Sequence, residues 1–236
     1  MTIAVTAGSA NLHLTGKGYL DASNKPGLEL GLEVNQADAR AALRLWPNFS
    51  APLVRKWLVD HLRSGRLETM ILALNFPPDV FEAALADKAL PADSLMVNWR
   101  VSDVVIVPVP GLPPVRGVVS KGEASGQAVQ LAFSGGMIET SPGRRLTIAD
   151  GNFSVPDINR KPADARLRLR FSGAVDALAE FMRNPAVQSV APKGIDPALV
   201  SGAVEGETTI VFRLVPQFSQ SDPKLHLAAS LRNVTL

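Results

Sequence analysis

The chain has 236 residues, 46% of them apolar and 19% charged, with a formal net charge of only +2. That composition can bury a core, which excludes global disorder, and the absence of cysteine excludes thiolate chemistry, disulfides and Cys-ligated zinc. Aromatic residues make up 6% and no long Lys/Arg block occurs, which argues against a stacking platform or a basic arm for nucleic acid.

Residues 2–7 alternate as a strand directly after Met1, and in the next strand Leu12 and Leu14 flank His13. After the turn signal Asn24-Lys-Pro-Gly27, Leu28, Leu30, Leu32 and Val34 lie on one face and Glu29, Gly31 and Glu33 on the other. That is an antiparallel strand with one wet face. Asn35 or Asp38 caps a short helix over 37–46, stopped by Pro47. Residues 50–65 predict the best-marked amphipathic helix, with Ser50 as N-cap, Pro52 in the first turn and Gly65 at the end. Leu53, Trp57, Leu58, His61 and Leu62 share half its surface, so it needs an apolar partner.

The strand period returns over 67–76, a helix is expected over 80–87, and a long strand over 94–107. The Pro/Gly-rich stretch 108–114 is a domain linker or a rigid corner. Residues 115–156 read as a meander with turns at Lys121-Gly122, Gly135-Gly136, Ser141-Pro-Gly143 and Asp150-Gly151. Val129, Leu131 and Phe133 share one face there. Further on, Leu167, Leu169 and Phe171 oppose Arg166, Arg168 and Arg170. A helix is expected over 175–184 and irregular chain over 185–201. Strands at 203–215 and 224–236 close the sequence, the first with Ile210, Phe212 and Leu214 on one face.

The fold class is therefore mainly β: a long antiparallel meander of about twelve strands, with about four short helices covering its ends or mouth. The helices can cover only part of the apolar face. The sheet either folds onto itself around a filled, sandwich-like core, the commoner solution, or curls like a taco around a hydrophobic groove. Residues 1–236 read as one elongated segment, with a sub-boundary at 108–114 if that stretch is a linker. Both ends stop in strand pattern, so a piece of a longer sheet protein is expected, with open edges prone to edge-to-edge self-association.

Little in the sequence carries chemistry. His13, His61 and His226 are far apart in sequence without ligand spacing, and His61 reads as a core or edge histidine bonded to a backbone carbonyl. Asp176 and Glu180 read as the solvated face of a helix, Arg144-Arg145 as turn charge, and the triple-Arg face as a solvated strand or a contact for phosphates or headgroups. No catalytic residue, metal site, cofactor or nucleic-acid partner is assigned, and no enzyme activity is expected.

The segment Leu43-Arg-Leu-Trp-Pro-Asn-Phe-Ser-Ala-Pro-Leu-Val-Arg-Lys-Trp-Leu-Val-Asp-His-Leu-Arg-Ser-Gly-Arg-Leu67 resembles the Trp-Pro…Ala-Pro…Arg-x-Trp-Leu…Gly-x-Leu stretch of AsmA-like proteins of YhdP type. Three further matches follow in order: Pro110-Gly-Leu-Pro-Pro-Val-Arg-Gly117, Gly136-Met-Ile with Leu146-Thr-Ile-Ala-Asp-Gly-Asn-Phe153, and Gly194-Ile-Asp-Pro-Ala-Leu-Val-Ser-Gly202. Together they span roughly residues 28–236. The resemblance implies a middle, periplasmic slice of an inner-membrane-anchored bridge in the Gram-negative envelope. Its curved sheet would hold phospholipid acyl chains on a concave apolar face on the way to the outer membrane. Candidate groove or core residues are Val129, Leu131, Phe133, Leu167, Leu169, Phe171, Ile210, Phe212 and Leu214. The opening helix would lie across the mouth or end of the sheet with Leu53, Trp57 and His61 turned inward. The implied partners are acyl chains and the rest of the same long chain, with the partners at either membrane left open. The alternative is a structural or interaction module of the envelope with a filled β-core.

Overall fold

The computed structural model describes residues 1–7, 10–45, 52–86, 88–188, 196–215 and 222–235. The predicted N-cap Ser50 and the stop at Trp46-Pro47 lie outside them. Twelve strands form one antiparallel sheet: β1 (Thr2–Ala7), β2 (Ala10–Leu20), β3 (Pro26–Asp38), β4 (Leu62–Phe76), β5 (Leu95–Ile106), β6 (Val115–Ser125), β7 (Val129–Ser134), β8 (Met137–Ser141), β9 (Arg144–Val155), β10 (Ala163–Ala174), β11 (Ser201–Leu214) and β12 (Lys224–Thr235). Neighbours in sequence are neighbours in space, except that β7 and β8 share one position between β6 and β9. Gly135 and Gly136, both at positive φ, make that break. They interrupt one strand, whereas Ser141–Gly143 makes the expected hairpin.

Among the described residues, five short helices join the strands: α1 (Ala39–Ala42), α2 (Pro52–His61), α3 (Pro78–Leu85), α4 (Val175–Met182) and α5 (Pro185–Gln188). A 3₁₀ turn, Leu43–Leu45, follows α1. In the up-and-down order, α1, α2, α4 and α5 fall at one end of the strands, here the upper end, and α3 at the lower end. Asp38 caps α1 by accepting from the Ala41 N–H at 2.8 Å. The fifth helix is one the sequence reading left irregular. Its start carries a readable signal, since Asn184 Oδ1 accepts from Ala186 N–H at 3.0 Å and Pro185 sits at the first helical position.

Register explains the alternation. Directly paired antiparallel residues share a face, so pairing can be followed across the sheet. One row reads Val5, Leu12, Val34, Met70, Trp99, Gly122, Leu131, Phe153, Leu167, Ile210 and Leu225. A nearby row on the other face reads Asn11, Asn35, Thr69, Arg100, Lys121, Ala132, Asn152, Arg168, Thr209 and His226. One face is apolar from edge to edge, and the other is polar.

Three sequence expectations are corrected by this register. The 50–65 helix ends at His61, and Gly65 lies in β4. Leu62 is drawn into the core and pairs with Ile106, and a Cβ at Gly65 would crowd Val104 and Ala39. Gly65 therefore serves close approach of α1 rather than helix termination. Lys121-Gly122 and Asp150-Gly151 are not turns but strand interiors. Leu146 and Ile148 share the apolar face with Phe153 and Val155 despite the change of parity, because of a register shift rather than a turn: Arg170 pairs with Asp150 but Phe171 with Ile148.

Among the described residues, three clusters of buried residues form on the apolar face. Ala39, Leu43, Leu62 and Val104, joined by Leu58, Val101, Ile106 and Val118, pack beneath α1 and α2. Phe171, Val175, Ala179, Val200 and Val204 pack beneath α4, with Leu169 and Leu227. Val155, Ala163 and Ala165 pack at the lower end, under Ile158 from the β9–β10 connection. Among the described residues every strand belongs to this one sheet, so no second sheet lies on the apolar face between those clusters.

Candidate functional site: an apolar trough across the strands

The clusters wall the apolar face at both strand ends. At the upper end stand α1, α2 and α4, and at the lower end α3 against β3 and β4 and the loop carrying Ile158. Between these walls runs a band perpendicular to the strands. Its central row, from Val5 to Leu225, crosses eleven strand positions, roughly 50 Å at the usual spacing of neighbouring strands. A single leaflet of hydrocarbon is about 15 Å thick, so the band is long enough for several acyl chains. Along it Leu12, Met70, Trp99, Leu131, Phe153, Leu167, Ile210 and Leu225 are each half-buried, Val5 is exposed, and Val34 is buried at 2% exposure.

Trp99 and Phe133 shape the floor, and Phe171 makes the same kind of contact beneath α4. The rings of Trp99, Phe133 and Phe171 lie across Gly122, Gly151 and Gly206, their direct partners on the following strand position. A Cβ at Gly122 or Gly151 would overlap the ring above it, and one at Gly206 would come within 2.7 Å of Phe171. Glycine lets the ring lie on the backbone instead of standing up from it. Phe153 and Phe212, on strands separated by β10, bring their centroids to 6.4 Å. Ala165, only 1% exposed, is the partner of Phe212 on that intervening strand.

The nine strand residues singled out from sequence all fall on this face, in different settings. Leu131, Leu167 and Ile210 lie in the open central row, and Phe133 beside it over Gly151. Val129, Phe212 and Leu214 lean on the lower cluster and Leu169 on the cluster under α4. Phe171, 8% exposed, is core beneath α4 and is closed off from the band.

The helix expected to face inward through Leu53, Trp57 and His61 presents a different set. The side chain of Leu53 lies outside the described residues. Trp57 points outward, 41% exposed, with its ring 4.9 Å from that of His61. Leu58 packs into the core instead. His61 ties the helix to the sheet: its Nδ1 donates to the Val107 carbonyl at 2.7 Å, and its own carbonyl accepts from Val107 N–H at 3.0 Å. The carbonyl-bonded reading of His61 therefore holds. His13 and His226 are solvent-exposed.

The upper wall is stitched together by polar bonds that the sequence reading passed over. Asn184 Nδ2 donates to the Gly111 carbonyl at 2.9 Å, tying α4 to the 108–114 corner. Arg144 Nε donates to Asp176 at 3.0 Å and its guanidinium lies 3.6 Å from Glu180. Glu180 Oε2 also accepts from the Thr140 and Ser141 hydroxyls at 2.7 and 2.8 Å. Those hydroxyls, Thr140 first, and the Arg144 charge hold the Glu180 carboxyl below its usual value. The pair read as a solvated helix face thus clasps α4 onto the β8–β9 turn. On the polar face Arg168 pairs with Glu207 through bonds of 2.8 and 2.7 Å, and Arg170 with Asp150, so two of the three strand arginines are neutralised by acids on flanking strands.

Among the described residues no group of three or more His, Asp or Glu side chains converges as a metal site, and no helix is long and apolar enough to cross a membrane. No family model matches the chain, and neither the curated proteins nor the solved structures contain a significant match.

Proposed function

We propose that this chain is a periplasmic segment of an AsmA-like, YhdP-type protein anchored in the inner membrane, and that it holds phospholipid acyl chains on their way to the outer membrane. The observation that carries the reading is the apolar band from β1 to β12, whose large side chains other than Val34 keep part of their surface in water. A sheet that leaves such a band in water loses on the order of 1 kcal/mol at each half-covered large side chain, a loss that acyl chains laid across the strands reverse. Headgroups would remain in water at the rim. No bond is made or broken, so the segment acts as a conduit rather than an enzyme.

The test is native mass spectrometry of the protein purified without detergent. Bound phospholipid, released on unfolding, is the expected result. A lipid-free protein that also takes up none from phospholipid vesicles overturns the reading. A second reading, an interaction module of the envelope that docks partners by strand addition, draws on the edges: among the described residues β1 and β12 each pair on one side only. A lipid-free protein that associates through those edges would favour it.

A further inference from the structure

We propose that the corner formed by α1, the 3₁₀ turn and α2 is a docking surface for an anionic lipid bilayer. The sequence from Asp38 to Arg66 carries six cationic side chains against two acidic ones, a local charge of +4 in a chain whose total is +2. Both acids are engaged within the corner. Asp38 accepts from the Ala41 backbone, and Asp60 pairs with Lys56 at 2.7 Å. Arg40, Arg44 and Arg63 are exposed and make no ion pair among the described residues. The 3₁₀ turn contacts α2 and α1 contacts β4, which gathers these arginines into one region.

The same corner leaves apolar surface in water. Val54 is 42% and Trp57 41% exposed, one helical turn apart on α2, and Val59 is 39% exposed. Cations beside exposed Trp and aliphatic side chains on a short helix match a helix that lies in the headgroup region, where the indole sits at the interface and arginines meet phosphates. Charge complementarity therefore selects an anionic bilayer. A nucleic acid would use the arginines but give no role to the two valines beside them. The polar face of β9–β12 makes a contrast, because Arg170, Arg168 and Arg232 there are paired with Asp150, Glu207 and Glu205. This inference goes beyond the trough and does not depend on it.

The experiment is co-sedimentation of the whole chain with vesicles of phosphatidylcholine alone and of phosphatidylcholine mixed with phosphatidylglycerol. Binding is expected only to the mixed vesicles, weakening with salt and accompanied by a blue shift of tryptophan emission that Trp57→Ala reduces. The R40E/R44E/R63E variant should bind at least about a hundredfold more weakly, since each basic residue near an anionic surface contributes about fivefold and the introduced carboxylates repel it further. Its circular dichroism and bound phospholipid should match the parent chain, which separates docking from the trough. Equal binding to both vesicle types, salt-insensitive binding by the parent chain, unchanged binding by a folded triple variant, or capture only by heparin overturns the proposal.

Discussion

At Gly122 the trough floor has no side chain of its own, and the indole of Trp99 fills the place. The glycine is kept in mid-strand despite the entropy it costs there, because any Cβ meets the ring. Gly122→Ala must therefore lift Trp99 or bend β6. We expect a loss of about 1–3 kcal/mol, the usual range for overpacking, together with a shift in tryptophan emission as the ring leaves the backbone. Denaturant unfolding followed by fluorescence checks both. Gly18→Ala is the control, since nothing lies within 4 Å of a Cβ there and its φ is ordinary. A penalty at Gly122 no larger than at Gly18 contradicts the packing argument. The same geometry accounts for the misread turns at Lys121-Gly122 and Asp150-Gly151. A glycine in an alternating run signals either a turn or a close approach, and the aromatic that decides between them sits on the neighbouring strand position, more than fifteen residues away in sequence.

At the scale of elements, what was legible depended on how local the cause was. Strand alternation, Asp38 as one of two cap candidates and the start of α4 at Val175 are set within a few residues and were readable. The inward side of α2 was not: Trp57 and Leu58 are both apolar, and only the position of Val104 and Ile106 beneath the helix makes Leu58 the packed one. The α4 clasp was hidden for the same reason, since Arg144 and Glu180 stand 36 positions apart in sequence. The clasp has a pH signature. Glu180 titrates below its usual 4.5 in the fold, so its contribution to stability is present above that value and lost as pH falls through the lowered one. Asp150 and Glu207, lowered chiefly by bonds from Arg170 and Arg168, act in the same direction. Glu180→Gln should lower stability at neutral pH and flatten its fall below about pH 4.5 without abolishing it. Stability profiles of both proteins across that range provide the check, and parallel curves would deny the clasp its role.

For the whole molecule the decisive property is that two faces of one sheet carry different chemistry over its full width. β7 allows a direct comparison. Leu131 lies in the central apolar row between Gly122 and Phe153, and Ala132 lies in the polar row between Lys121 and Asn152. A lysine at either place can keep its ammonium in water, because Leu131 is only half-buried and Ala132 is exposed. Each should therefore alter folding stability by only about 1 kcal/mol or less. An acyl chain laid over the floor changes that equivalence. At Leu131→Lys it would have to cover a charge, which costs several kcal/mol if the charge is left unpaired, whereas at Ala132→Lys the charge stands on the far side of the sheet. Native mass spectrometry should then show phospholipid retained by Ala132→Lys and depleted in Leu131→Lys, at equal fold content by circular dichroism. Equal retention in both would mean that the band is not where the lipid lies, and equal loss would mean that lysine on this strand acts through stability rather than through the floor.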